Sequence, residues 1–284
     1  MDILAIIATT LMAIVSPAGA VVDTLAEDAL RDQIASAEEL YVRIDNVPNY
    51  QILSGRIEHA QVAARGLYAR QLPDLRVDAI DLETDAVDVD FAALQRGELK
   101  LDEPAQAALR LRLKASDLNT FLASPIIQDW LDTLSFSLPG SGAERERSRY
   151  GLANPSLEFL DGDRLRINVD LNDQVMAETL EITVELGLDI VNGHRFALNN
   201  PRIEIDGEEA PPQLITSLAE GASEELTLRR LEDFGLTARI LAFDVRNNQL
   251  DLAVFARLEP DSPFLQRQPD PAPQPDSEAV PSPR

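Results

Sequence analysis

The chain has 284 residues, with 49 acidic and 25 basic side chains and a formal net charge of -24. This charge argues against a nucleic-acid binder, because such proteins need lysine and arginine to neutralise phosphates. The sequence contains no cysteine, which excludes disulfide scaffolds, cysteine nucleophiles and thiolate zinc sites. Hydrophobic residues make up 45% of it, enough to bury a sizeable core, so composition indicates an acidic, aliphatic, folded protein.

The first 20 residues have the pattern of a secretory signal peptide. Ile3 to Val15 is an apolar run, and small residues follow it up to Ala20, where we expect cleavage. The flank before the run carries Asp2, where such a signal normally has a basic residue. An uncleaved anchor and a buried helix are the alternatives, although a spanning helix needs about 20 apolar residues. Cleavage would place the mature chain, starting at Val21, in the periplasm or another extracytoplasmic compartment.

Two further segments lack the pattern of a packed element. Residues 137–150 form a polar, glycine-containing stretch, which we interpret as a flexible loop inside one domain of residues 21–258. Glu259 to Arg284 contains 8 of the 18 prolines. Because proline removes backbone donors, we expect this end to be a disordered tail.

Alternating apolar and polar residues predict an antiparallel sheet between these segments. The alternation is clearest in five runs: 40–44, 109–114, 165–171, 180–190 and 250–254. Turn pairs separate the later runs, at Asp161-Gly162, Asn192-Gly193, Asp206-Gly207 and Asn247-Asn248. The alternation changes phase between Val77 and Leu82, which predicts a bulge that bends the sheet.

Helical patterns are few. We predict helices over Asp23 to Ala37, over Ser116 to Leu134 with an interruption at Pro125, and from Gln213 to about Leu226 behind Pro212. Ser116 opens the second of these as a capping residue. The predicted fold class is α+β: a large, strongly curved antiparallel sheet wrapped around one or two helices.

The acidic residues suggest no clear site. Seven carboxylates lie within seventeen residues, at Asp74, Asp78, Asp81, Glu83, Asp85, Asp88 and Asp90. Their spacing does not match a calcium-binding EF-hand loop, and alternation along a strand would turn several towards water. We interpret them as a solvated face.

Motifs for catalysis or metal binding are also missing from the sequence. His59 and His194 lack a second histidine at metal-ligand spacing, so we expect structural or exposed roles for both and no metal site or cofactor. There is no nucleophile elbow, phosphate-binding loop or zinc-protease motif. An enzyme is therefore not expected, although a carboxylate-based envelope hydrolase stays an alternative.

The aliphatic character of the buried face offers a different hypothesis. A groove walled by leucine, isoleucine and valine would present a ligand with a surface resembling hydrocarbon, whereas an ordinary packed core is the competing interpretation. Either face of a bent sheet could be the inner one. Our candidate lining residues are Leu109, Leu111, Leu113, Ile167, Val169, Ile182, Val184 and Leu186.

Several stretches resemble the LmeA-like phospholipid-binding family of bacteria. The longest runs from Glu39 to Ile57 and is followed by Ala64 to Leu67. Further similar stretches follow in order, at Ile80 to Asp85, Leu101 to Ala105, Ser116 to Asn119 and Phe234 to Ala238. The resemblance covers about Ala37 to Leu258, and it depends on the number and order of these stretches, since none of them is catalytic.

The resemblance implies a non-enzymatic lipid-binding protein of the bacterial envelope with a tubular lipid-binding fold. We accordingly expect reversible binding of a phospholipid or similar amphiphile, with transfer as an extension of that role, without naming the lipid. A structural or adaptor module that binds a protein through its acidic surface and proline-rich tail is the alternative. Because the protein is strongly acidic, we expect only transient membrane contact, through the arginines Arg145, Arg147 and Arg149 of the central loop.

Overall fold

A computed structural model gives the arrangement of most of the chain. It describes residues 34–46, 54–70, 72–94, 100–133, 150–173, 176–213, 215, 226–246 and 248–266. The predicted signal peptide, the arginines of the central loop, most of the predicted 213–226 helix and the end of the proline-rich tail lie outside these ranges.

The larger sheet has seven antiparallel strands and takes its members from both ends of the chain. Its order is β1-β4-β5-β7-β14-β13, and β2 pairs with β4 beside β1. The strands are β1 (Ile34–Ser36), β2 (Glu39–Asp45), β4 (His59–Ala69), β5 (Leu72–Thr84), β7 (Ala105–Lys114), β13 (Leu236–Arg246) and β14 (Gln249–Leu258). A separate pair, β3 (Arg56–Ile57) and β6 (Val87–Asp88), packs at one end.

The smaller sheet is a five-stranded antiparallel meander built from the middle of the chain. Its strands are β8 (Tyr150–Leu160), β9 (Arg164–Asp173), β10 (Glu178–Val191), β11 (Arg195–Ile205) and β12 (Glu208–Glu209). The predicted turns at 161–162, 192–193 and 206–207 connect them. Asp163, Asn192 and Asp206 have positive φ there, which short polar side chains tolerate.

Short helices connect and flank the strands: α1 (Phe91–Leu94), α2 (Ala115–Leu122), α3 (Pro125–Thr133), a 3₁₀ helix (Leu228–Phe234) and α4 (Pro263–Gln266). Helices α2 and α3 bury Phe121, Ile127 and Leu131 against Leu72 and Leu75 of β5. No helix within the described ranges is long and apolar enough to cross a membrane.

The prediction of one large sheet was wrong, whereas the antiparallel arrangement and the five strand runs are confirmed. Strand β7 pairs with β5 along one edge and with β14 along the other. Since both edges are occupied, β8 has no edge of β7 to extend and begins a second sheet after α2 and α3. The final hairpin, β13–β14, returns to the larger sheet. Its strand β13 forms an edge of that sheet and contacts the smaller sheet.

Three local predictions also need correction. Ile34–Ser36, the end of the predicted first helix, is a strand, because the edge of β4 beyond β2 offers backbone hydrogen bonds there. The change of phase is present, since Val77 and Ile80 share one buried cluster, but the register shift between β4 and β5 lies between Tyr68 and Ala69 instead. Residues 259–266, assigned to the tail, are instead folded, with Ser262 and Leu265 buried.

The predicted helix over Ser116 to Leu134 is confirmed as α2 and α3, which are separated at Ser124 just before Pro125. Its predicted cap is wrong. Lys114 occupies the N-cap position and makes no side-chain capping hydrogen bond, so Ser116 lies inside the helix. The strand β7 runs directly into the helix, which leaves no turn for a serine cap.

Candidate functional site

The larger sheet has one continuous apolar face. Its strand register aligns aliphatic side chains in two rows that each cross six strands. One row contains Leu40, Ala64, Ile80, Leu111, Leu252 and Phe243, and the other contains Val42, Val62, Leu82, Leu109, Val254 and Ile240. Ala64, Ile80 and Leu111 belong to one buried cluster, against which Leu40, Val62 and Leu252 pack while partly buried.

The smaller sheet repeats this design. Leu157, Ile167, Val184 and Ile203 lie directly opposite one another across β8, β9, β10 and β11. A neighbouring row consists of Val169, Ile182 and Ile205. Most of these side chains are only partly buried, so they form a face rather than a closed core.

The two apolar faces meet along β13, the edge strand of the larger sheet. Phe159 of β8 and Val245 of β13 share a buried cluster, and Leu157, Leu165, Phe243 and Leu250 pack against it. The rings of Phe196 and Phe243 pack edge to face, with centroids 5.5 Å apart. The two apolar faces therefore contact each other at this edge, and we refer to them together as the apolar surface.

Backbone groups of the two sheets fix this junction. The Ile240 N–H donates to the Gly193 carbonyl at 2.6 Å. The Val245 N–H donates to the Asp163 carboxylate at 2.7 Å. These bonds satisfy backbone groups on the outer edge of β13 and hold the turns of the smaller sheet against it.

The opposite face of the larger sheet is charged. Asp78 accepts hydrogen bonds from Lys114 and Arg76, and Asp251 lies within hydrogen-bond distance of Arg110 and Arg112. Burial alone would raise the pKa of both carboxyls, but these cations outweigh it and lower the pKa of each below its ordinary value. The charged face is therefore a network of cross-strand ion pairs.

The acidic stretch from Asp74 to Asp90 contributes to this network rather than forming a separate site. Asp81 pairs with Arg65 at 2.7 Å, and Asp88 pairs with Arg56 at 2.8 Å. Within the described ranges, no group of three or more histidine or acidic side chains is arranged to hold a metal ion. These carboxylates stabilise strand pairing and remain partly exposed.

The two histidines lie in different surroundings. His59 on β4 is 2.9 Å from Glu83, which lowers the pKa of that carboxyl together with the hydrogen bond from Gln61. His194 lies in the turn at the junction, where its carbonyl accepts from the Leu228 N–H at 2.7 Å. Both positions are structural in this geometry: one on the charged face, the other at the contact between sheets.

The eight candidate lining residues all lie on the apolar surface. Three come from β7 of the larger sheet, and five come from β9 and β10 of the smaller one. Sequence reasoning missed the residues that join the two groups, above all Phe196 and Phe243. The alternation of 250–254 indicated a strand, but no local signal could show that it pairs with β7 or that β13 touches the smaller sheet.

Comparison with known proteins identifies the family. The family described as LmeA-like phospholipid-binding matches residues 15–255, most of the chain. No curated protein and no solved structure matches it. The resemblance seen in the sequence is confirmed over a longer stretch, which includes all the described strands except the last residues of β14. The chain therefore belongs to the LmeA-like phospholipid-binding family.

Proposed function

We propose that the protein binds a phospholipid, or a similar two-chain amphiphile, along the apolar surface formed by the two sheets. The observation that carries this proposal is the continuity of that surface across β13, because two faces that meet can enclose a long molecule that neither could cover alone. Helices α2 and α3 would close one end, where they pack against β5 and β8.

The dimensions of the surface support this assignment. Strands lie about 4.8 Å apart, so a row across six strands is about 24 Å wide. The hydrocarbon part of one membrane leaflet is about 15 Å thick, half of a bilayer core of about 30 Å. A row is therefore long enough for an acyl chain. Protein already buries Ala64, Ile80 and Leu111 in the larger sheet, so the partly buried rows of the smaller sheet are the more accessible ones.

The chemistry of the surface suits reversible binding. Moving about 30 methylenes out of water gains about 0.8 kcal/mol each, but a lipid in a bilayer already has this benefit. A wall of leucine, isoleucine and valine needs only to give the acyl chains about the same free energy as the bilayer interior does. A lipid can then exchange without catalysis. We infer that the protein carries lipid between membranes of the bacterial envelope, a role that the signal-like first 20 residues would serve by directing export.

The decisive measurement is the lipid content of the purified mature protein. We expect native mass spectrometry and solvent extraction to find a bound phospholipid that exchanges with liposomes. The variant Ile167→Thr/Val184→Thr keeps the side-chain shape at residue 184, removes the terminal methyl group at residue 167, and places two hydroxyls opposite each other on the apolar face. An unpaired hydroxyl in hydrocarbon costs roughly 1–3 kcal/mol, so lipid affinity should fall about tenfold or more.

Thr183→Val is the matched control. Thr183 is the neighbour of Val184 on β10, and its hydroxyl donates to Asn168 on the opposite face at 2.9 Å. This variant should retain lipid although it loses one hydrogen bond. A protein that carries no lipid and takes up none from liposomes would contradict the proposal and favour the adaptor alternative.

A further inference from the structure

Two exposed arginines, Arg195 and Arg229, lie at the junction of the sheets. Arg195 and Arg229 form no ion pair within the part of the chain that the structure describes. By contrast, Arg65, Arg76 and Arg112 each contact an aspartate on the charged face. In a protein with 49 acidic and 25 basic residues, two nearby cations that have no ion pair among the described residues are unexpected.

The backbone brings these arginines together. Arg195, the first residue of β11, forms an isolated bridge with Thr227. The Phe196 N–H donates to the Leu226 carbonyl at 3.0 Å, and Thr227 then caps the 3₁₀ helix by accepting from the Arg229 N–H. Arg229 is therefore two residues beyond the partner of Arg195.

An exposed apolar residue lies at the same junction. Leu241 is the extra residue at the register shift of β13 and is 64% exposed. It follows Ile240, whose N–H bonds to Gly193, two residues before Arg195. Arg239 lies beside Gly193 and pairs with Glu232 at 3.0 Å, so that nearby carboxylate is already neutralised. We call Arg195, Arg229, Arg239 and Leu241 the junction patch.

We propose that the junction patch docks the protein on the surface of an anionic phospholipid membrane. A basic side chain near such a surface contributes favourably, and the attraction acts within a Debye length of about 8–10 Å. A local patch can therefore bind although the whole protein is repelled. An exposed leucine between arginines suits the boundary between headgroups and acyl chains.

The location of the patch connects docking with lipid uptake. This argument rests on the proposed function. Arg195 and Phe196 are neighbours on a strand, so their side chains point to opposite faces. Phe196 contacts Phe243 where the two apolar faces meet. Docking through Arg195 would thus hold the strand that carries Phe196 at the membrane, with the meeting line of the apolar faces on the other side of that strand.

Sedimentation with vesicles tests the proposal. The full chain should bind vesicles of phosphatidylcholine mixed with phosphatidylglycerol better than vesicles of phosphatidylcholine alone, and added salt should weaken binding. Arg195→Gln/Arg229→Gln should bind the mixed vesicles about 30-fold more weakly, since each arginine contributes about fivefold. Leu241→Ser should give a smaller loss.

The double variant Arg43→Gln/Arg202→Gln is the control. It changes the net charge equally, but Arg43 lies on β2 and Arg202 lies towards the other end of β11. Equal losses in both double variants, or no preference for anionic vesicles, would overturn the proposal and leave the patch to an acidic protein partner. Bound lipid, measured by mass spectrometry, should be unchanged in both, so failure of docking is distinguishable from failure of lipid binding.

Discussion

Two asparagines, Asn46 and Asn119, use their side-chain amides as a strand would use its backbone. Asn46 is buried, donates to the Arg56 carbonyl at 2.7 Å and accepts from the Glu58 N–H at 2.7 Å. Asn119 donates to the Leu157 carbonyl at 2.8 Å and accepts from the Leu157 N–H at 2.7 Å. Each residue therefore satisfies a donor and an acceptor that no neighbouring strand reaches.

Both asparagines lie in stretches that carry the family resemblance. Their contacts give these stretches a structural role, because they connect segments that are distant in the sequence. The sequence could place Asn119 in a helix, because the helical pattern is local. It could not show the partner, because Leu157 is 38 residues away and belongs to the other sheet.

The Asn119 contact gives a prediction about stability. Asn119→Ala leaves the Leu157 N–H and carbonyl without their partner, so we expect the free energy of unfolding to fall by about 1–3 kcal/mol in urea titrations. Thr120→Ala, at the next residue, removes an exposed hydroxyl that bonds to the Ser116 carbonyl and should change it by less than about 0.5 kcal/mol. Similar losses in the two variants would show that the contact between α2 and β8 has little energetic importance.

At the level of elements, each sheet separates an apolar face from a charged one. The alternation predicted this separation correctly, since neighbouring side chains on a strand point to opposite faces. The division into two sheets was not predictable in the same way. It depends on the pairing of β7 with β14, in which Leu111 faces Leu252, and no local pattern specifies a partner so far along the chain.

Strand pairing across the charged face should depend on pH. Burial raises the pKa of Asp251, but Arg112 and then Arg110 outweigh it and hold the pKa below the ordinary 3.8. Because the folded-state pKa is the lower one, this stabilisation is complete above the unfolded-state pKa near 3.8 and is lost as the pH falls through the folded-state value. The relevant window is therefore below about pH 4.

Asp251→Asn tests this dependence. The substitution removes a carboxylate that is 18% exposed and contacts two arginines, so we expect a loss of about 1–2 kcal/mol at pH 7. The loss relative to the unmodified protein should shrink as the pH falls below 4, since protonation then removes the same charge. Asp102→Asn, at an exposed aspartate with no ion pair inside the described ranges, should have little effect at either pH. An Asp251→Asn deficit that stays constant with pH would contradict the role of its charge.

For the molecule as a whole, the junction at β13 turns two open sheets into one surface. Among the described residues, two N–H groups of β13 donate across it, one to a carbonyl and one to a carboxylate, and an aromatic pair and a small buried cluster also span it. Much of the apolar surface on either side is only partly buried by protein. A ligand that covers these side chains would therefore contribute to the stability of both sheets together.

The final prediction follows from this arrangement: removal of bound lipid should lower the melting temperature. A ligand present at about 100 times its dissociation constant stabilises the folded state by about 2.7 kcal/mol. For a domain of this size that corresponds to about 5–10 °C. Calorimetry of protein before and after delipidation should show this shift, and restoring phospholipid vesicles should reverse it.

Delipidated protein should also bind more of a dye that fluoresces on apolar surfaces, because the rows across β7 and β10 are then uncovered.

Matched variants separate lipid binding from general destabilisation. Thr183→Val should keep the full shift on delipidation, because its substitution lies on the polar face of β10. Ile167→Thr/Val184→Thr should keep only about half of the shift, because a tenfold weaker dissociation constant lowers the ligand stabilisation from about 2.7 to about 1.4 kcal/mol. A shift of the same size in both would mean that the lipid binds elsewhere on the molecule, and the meeting of the two apolar faces at β13 would then be an ordinary packing contact.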